Sequence, residues 1–129
     1  MSIRDVAGSG GPAELSTAKI ETTASDDWHA TVALHGEIDV ATAPALRAEL
    51  QRHIDAGRCF IRIDAGGVTF LDSMAMSALV NEAERCGTAH GALILTKVPP
   101  CVRHIIHIAG LDTVLLIDTA CDKQAWDPT

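Results

Sequence analysis

Short apolar segments alternate with stretches of helical periodicity, and this alternation limits the possible folds more than any other feature of the chain. The segments 59–63, 91–96 and 114–117 have the length and apolar character of buried strands. Between them, apolar residues recur at the i, i+3, i+4 and i+7 spacing of a core-facing helical stripe. A strand, a helix and a strand in succession form a βαβ unit whose strands are parallel. The sequence therefore predicts an α/β domain in which helices cover a mixed, mostly parallel sheet of about five strands.

Two predicted strands precede this unit. Residues 14–23 alternate loosely between apolar and polar side chains, and residues 28–35 alternate regularly, with Trp28 on the apolar side. The segment 24–27 between them has the composition of a turn. We therefore predict an antiparallel hairpin at the start of the domain.

The first helix is predicted between this hairpin and the strand 59–63. Thr42 is its predicted cap, because Pro44 follows within the first turn, where its missing N–H costs nothing. Gly57 is well placed to end the helix. His53 is interpreted as a residue that flanks the apolar stripe, rather than as a catalytic base.

The second helix begins at a corner that we expect to organise the rest of the domain. Residues 64–67, with two glycines, are predicted to break the preceding strand. Asp72 or Ser73 can then cap a helix of about residues 73 to 85, which Gly87 is predicted to end.

The two methionines of this helix face opposite ways. Met76 lies on the core-facing stripe with Leu79, Val80, Ala83 and Cys86. Met74 lies on the outer face, which it shares with Ser77, Asn81, Glu84 and Arg85. An exposed Met at a helix start is either an ordinary surface residue or part of a contact surface for a partner.

Length and composition indicate one globular domain. The chain has 129 residues, of which 47% are hydrophobic and 21% charged. We predict a flexible tail over 1–13, the domain over 14–118 and a short tail over 119–129. The net charge of −7 and the absence of Tyr disfavour nucleic-acid binding. With neither a long apolar run nor the apolar core of a signal peptide, the sequence predicts a cytoplasmic location without a membrane span.

The cysteines and histidines do not form a recognisable metal or redox motif. Cys59, Cys86, Cys101 and Cys121 are far apart in sequence, so four reduced thiols are expected. Cys101 and Cys121 are the candidates for exposure and hence for a redox switch. The histidines lack further ligands at metal-binding spacing, so we predict neither a metal nor a cofactor.

Enzymatic motifs are missing, whereas a docking or switch site fits the corner. The chain has neither a phosphate-binding loop nor a nucleophile elbow. Asp39, Asp64 and Asp72 fall at or beyond predicted strand ends, where ligands and partners of α/β sheets collect. These carboxylates could hold Mg²⁺, although helix capping is favoured. A serine at the helix start suits a phosphorylation switch, since the free N–H groups stabilise a phosphate there.

Four motifs, in this order and spacing, resemble the anti-sigma factor antagonists, which are bacterial STAS domains. The resemblance covers about residues 18 to 117. The motifs are Gly36-Glu37-Ile38-Asp39 followed by Thr42-Ala43-Pro44, then Gly67-Val68-Thr69-Phe70-Leu71-Asp72-Ser73, then Pro100-Cys101-Val102-Arg103, and finally Ala109-Gly110-Leu111-Asp112.

The resemblance implies partner switching. Such an antagonist binds an anti-sigma factor, often one with serine kinase activity, and so frees the sigma factor. Phosphorylation of a corner serine abolishes that binding. The implied partner-binding residues in this chain are Asp39, Thr42, Asp72, Ser73, Met74, Ser77 and Asn81.

The chain departs from the family pattern at the phosphoacceptor. The family reads Asp-Ser-Ser-Gly or Asp-Ser-Thr-Gly, and its second hydroxyl residue accepts phosphate. Here that position is Met74, and Ala75 replaces the glycine. Ser73 and Ser77 keep hydroxyl groups at other positions, so Ser73 is the remaining candidate for phosphorylation. The last helix of the family is also shortened after Asp118.

Two hypotheses follow. The preferred one is a non-enzymatic antagonist that is not controlled by the usual phosphorylation. The alternative is a sensor or scaffold STAS domain that binds a small ligand, such as a nucleotide or lipid, or a larger signalling complex.

Overall fold

The computed structural model describes residues 18–118 and contains the predicted order of strands and helices. The predicted tails and residues 14–17 lie outside this range, and no helix within it is long and apolar enough to cross a membrane. The elements are β1 Lys19–Ser25, β2 His29–Ile38, α1 Ala43–Asp55, β3 Phe60–Leu71, α2 Ser73–Thr88, β4 Ala92–Thr96, α3 Pro100–Ile108 and β5 Leu116–Ile117.

The strands form one sheet in the order β1-β2-β3-β4-β5. β1 runs antiparallel to β2, and the other three pairs are parallel, which confirms the hairpin and the mixed sheet.

β1 continues to Ser25, through part of the predicted turn. Trp28 was expected on the buried side, but it precedes β2 and is 65% exposed. β5 is shorter than predicted because Val114 and Leu115 belong to a turn whose N–H groups bond to the carbonyl of Leu111.

The predicted break at residues 64–67 is wrong, because β3 runs through it. β2 continues beside β3 as far as the pair Ile38 and Leu71, with two irregularities in register. Gly67 leaves room for the imidazole of His35, with which an added Cβ would collide unless the ring moved. Pairing with β4 ends at Asp64 and Thr96. β3 therefore extends past β4 and carries the start of α2 to the far end of β2.

The predicted end of α2 at Gly87 is also wrong. The helix continues through Gly87 to Thr88, and Ala89 donates to the carbonyls of Arg85 and Cys86. The left-handed residue that follows is His90, with φ of 68°. One glycine costs a helix only about 1 kcal/mol, which the packing of the rest of the helix outweighs.

One hydrophobic core lies between the sheet and the helices. The sheet contributes buried residues such as Ile61 and Leu93, and α1 contributes Leu46. The inner stripe of α2 is as predicted: Met76, Leu79 and Cys86 are buried, and Val80 and Ala83 are partly buried against the same core.

Two polar residues are buried where the sequence did not predict them. Glu82 on α2 is fully buried; its carboxylate accepts from Gln51 Nε2 of α1 at 3.1 Å and lies 3.3 Å from Arg85 Nε. His53 on α1 is 1% exposed, so its interpretation as a flanking residue is wrong. Each has a polar partner beyond its own helix, which lowers the cost of its burial, although Glu82 Oε1 itself makes no hydrogen bond.

Candidate partner-binding site

Asp72 joins the end of β3 to the loop after β2. Its Oδ1 accepts the Ala75 N–H at 2.9 Å and so caps α2. Its Oδ2 accepts the Val40 N–H at 2.9 Å. The backbone N–H of Asp72 also donates to the carbonyl of Ile38. Of the two predicted caps, Asp72 is therefore the actual one, and Ser73 is the first helical residue.

Asp39 and Thr42 form a turn before α1. The Asp39 N–H donates to Thr42 Oγ1 at 2.8 Å, and Asp39 Oδ1 accepts the Ala41 N–H at 3.0 Å. Thr42 occupies the cap position, but its side chain makes no capping bond to α1. The capping role predicted for the Thr42 side chain is therefore wrong, since its hydroxyl bonds back to Asp39.

The outer face of α2 is exposed beside this turn. Ser73, Met74, Ser77 and Asn81 are all exposed, and the exposed fraction of Met74 is 49%. Val40, which sequence reasoning missed, is 61% exposed, and its N–H is bound by Asp72. We call these five exposed residues, with Asp39, Thr42 and Asp72 beneath them, the corner surface.

A groove of about 280 Å³ opens on the same side of α2. Ser73, Ser77 and Asn81 line it on the helix face, and Ala109 and Leu111 line it after α3. Most of its wall is apolar, with small hydroxyl and amide groups at the rim. Such a surface can hold apolar side chains of a partner while exposed polar groups remain solvated.

Asp64 does not join the corner, although it was predicted at a strand end. It lies within β3, accepts the Gly66 N–H at 2.9 Å and faces Lys97 Nζ at 3.6 Å. Eight residues of extended chain separate it from Asp72, about 26 Å at the usual rise per residue. Within residues 18–118, no group of three potential metal ligands is present.

Three of the four cysteines, Cys59, Cys86 and Cys101, lie in the described part of the chain, and all three are free thiols. Cys101 on α3 is exposed, as predicted, whereas Cys121 lies outside the described residues. Cys86 is buried, and burial raises the pKa of its thiol to about 12. A thiol held in its protonated form is a poor nucleophile. The redox switch at Cys101 and Cys121 stays a prediction.

The fold is that of a small α/β domain with one mixed five-stranded sheet. The family profile described as "Mlab, STAS domain" matches residues 21–118. Because this match spans most of the chain, the chain belongs to the STAS domain family. The fold expected from the resemblance is thereby confirmed.

Individual relatives are anti-sigma factor antagonists by name. The provisionally named anti-sigma factor antagonist BtrV of Bordetella bronchiseptica is 29% identical over 92 residues, covering 71% of this chain and 79% of the relative. An anti-sigma factor antagonist from Mycobacterium paratuberculosis has a structure with a TM-score of 0.68 and 27% identity, covering 82% of this chain and 89% of that one. The anti-sigma factor antagonist SpoIIAA in its unphosphorylated form shares the fold, with a TM-score of 0.64 and 17% identity over 79% of this chain and 89% of its own.

Proposed function

We propose that this chain is an anti-sigma factor antagonist and that its anti-sigma factor docks on the corner surface. The observation that carries this proposal is Met74, which is half exposed on the first turn of α2, at the position that the resemblance assigns to the phosphoacceptor. The similarity to antagonists from Bordetella bronchiseptica and Mycobacterium paratuberculosis supports the class of function.

The chemistry of the corner surface suits protein binding without catalysis. Val40 and Met74 expose apolar side chains, and methionine is enriched where protein interfaces are buried. The carboxylates of Asp39 and Asp72 accept backbone N–H groups, so they are committed to holding the loops in place. The surface is therefore preorganised, which lowers the entropy lost on binding.

Regulation would differ from that of the family, because the thioether of Met74 cannot accept a phosphate. Ser73 is exposed and offers a hydroxyl one position earlier. A phosphate there would lie beside the Asp72 carboxylate, which disfavours a second negative charge. The antagonist would accordingly remain able to bind under conditions that silence a phosphorylated relative.

Replacing Met74 by Arg tests the surface. We expect the purified wild type to capture an anti-sigma factor from the native cytosol and the Met74→Arg variant to bind it at least about 30-fold more weakly, because a buried contact residue contributes about 2 kcal/mol. Mass spectrometry identifies the partner, and titration calorimetry with the purified partner gives the two affinities.

Trp28→Arg is the matched control. Trp28 is also an exposed apolar residue, but it lies at the opposite end of β2 from Val40. The ten residues of β2 span about 33 Å. Equal binding by wild type and both variants would contradict the corner surface. Capture of no anti-sigma factor at all would contradict the antagonist function and favour the ligand-sensor hypothesis instead.

A further inference from the structure

His53 is the one buried histidine of residues 18–118, and both of its ring nitrogens have partners. Its Nδ1 lies 2.9 Å from Arg58 Nε, in the loop between α1 and β3. Its Nε2 lies 2.8 Å from Thr22 Oγ1 of β1. The imidazole therefore connects three separate parts of the chain at the edge of the domain.

The hydrogen-bond directions require a neutral ring. Arg58 Nε can only donate, so His53 Nδ1 must accept, and the ring proton sits on Nε2. Nε2 then donates to Thr22 Oγ1, whose own proton goes to the carboxylate of Glu49. The result is a one-way chain of donors from Arg58 through His53 and Thr22 to Glu49.

The charged groups around the ring oppose its protonation on balance. Arg52 Nη2 lies 3.4 Å from Nε2, and the Arg58 guanidinium faces the other nitrogen. Glu49 lies 3.6 Å from Nε2 and favours the charged ring, while β1 contributes the uncharged Thr22. Burial, aided by Arg52 and Arg58, holds the pKa of His53 below its usual range.

This cluster supplements the attachment of β1 to the sheet. It is an edge strand that forms its ladder with β2 alone, and its register shifts between Thr22 and Ala24. Thr22 bonds to two side chains of α1 at that irregular point. The cluster thus attaches β1 to the helix where the ladder is irregular.

We propose that His53 forms an acid-sensitive lock between β1 and α1, closed while the imidazole is neutral and opened when it takes up a proton. A protonated Nδ1 would present an N–H to the N–H of Arg58, so the two donors and two positive charges must separate. Thr22 then loses the imidazole and keeps the Glu49 carboxylate as its one remaining side-chain partner on α1, so β1 is attached to the helix more weakly. This inference concerns the edge of the sheet and does not depend on the proposed function.

The direction of the pH dependence follows from the pKa of His53 in the open and in the closed state. In the open state the ring has its ordinary pKa near 6.5, and in the closed state its pKa is lower. Acid therefore raises the equilibrium constant for opening about tenfold for each pH unit below 6.5, until the pH reaches the pKa of the closed state. Above that range the lock is independent of pH.

Hydrogen exchange of the full chain, read by mass spectrometry between about pH 7.5 and 5, tests the lock. We expect protection of residues 19–25, corrected for the exchange rate of unstructured chain, to fall about tenfold per unit below pH 6.5. Protection of residues 61–63 in the core should stay constant. Loss of protection in both segments together, or in neither, would overturn the proposal.

Two variants distinguish protonation of the His53 ring from general effects of acid on the protein. His53→Gln keeps a neutral donor and acceptor, and its β1 protection should no longer respond to acid. His104→Gln changes an exposed histidine on α3 and should behave as the wild type does. A wild-type response in His53→Gln would overturn the lock.

Should His53→Gln fail to fold, an NMR titration of the wild-type ring decides instead. A pKa below 6.5 with the proton on Nε2 supports the lock, whereas a pKa at or above 6.5, or a proton on Nδ1, overturns it.

Discussion

Asp72 stabilises the corner with both of its carboxylate oxygens. One oxygen caps α2 through Ala75, and the other holds the loop after β2 through Val40. No other side chain among the described residues accepts from both segments. Asp72 therefore joins the two parts of the corner surface by its side chain, in addition to the pairing of β2 with β3.

Removing this carboxylate should weaken the domain. We expect Asp72→Ala to lower the free energy of unfolding by about 1–2 kcal/mol, the usual cost of a lost N-cap. Urea denaturation measures the change. Ser73→Ala, at the next and exposed position, should alter stability by less than about 0.5 kcal/mol. Equal effects of the two substitutions would contradict the capping role of Asp72.

At the scale of elements, β3 and α2 both run further than their sequences indicate. Residues 64–67 look like a turn because they contain two glycines, yet β2 provides a ladder on which the strand continues. Gly87 looks like a helix stop, yet the backbone bonds of α2 extend past it. In each case contacts elsewhere in the fold outweigh a local preference.

Two glycines near the end of α2 test this interpretation. Gly87 lies within the helix with open space where a Cβ would be, so Gly87→Ala should raise the free energy of unfolding by about 0.5–1 kcal/mol. Gly91 lies against Cys59, and an added Cβ would overlap the carbonyl of that residue. Gly91→Ala should therefore lower the free energy of unfolding by about 1–3 kcal/mol. Thermal or urea unfolding distinguishes them, and a destabilised Gly87→Ala variant would contradict the helical assignment.

At the scale of the whole molecule, Glu49 makes stability depend on acid. Hydrogen bonds from Arg52, and a further one from Thr22, hold the pKa of Glu49 at about 2, against an ordinary value of 4.5. Because the folded-state pKa is the lower one, the unfolded state binds more protons in this range. The stability that Glu49 contributes is thus present above pH 4.5 and is lost as the pH falls towards about 2.

Glu49→Gln should remove this dependence. We expect the variant to be less stable than the wild type at neutral pH and the difference to shrink as the pH falls from 4.5 towards about 2. Urea denaturation at a series of pH values measures both proteins. A difference that stays constant through this window would contradict the assigned pKa.

Sequence motifs also anticipated much of the candidate site. Asp72 was predicted as a cap and Met74 as an exposed residue, and both assignments hold. Val40 was missed, although an apolar residue directly after a strand end, in a loop next to the corner, is a usable signal. His53 and Glu82 fall at helical spacing with the buried residues of their helices, but their burial was missed because polar residue types are mostly exposed.

The sequence by itself determined the order of strands and helices, the inward stripe of α2 and the place of its cap, at Asp72 or Ser73. These depend on side-chain periodicity and on hydrogen bonds between residues a few positions apart. Only the tertiary structure decided the length of β3, the burial of His53 and the position of Val40 over Asp72. The bonds that fix these last two join residues 31 and 32 positions apart. Such partners meet only after the sheet and helices have packed, so no local pattern can indicate them.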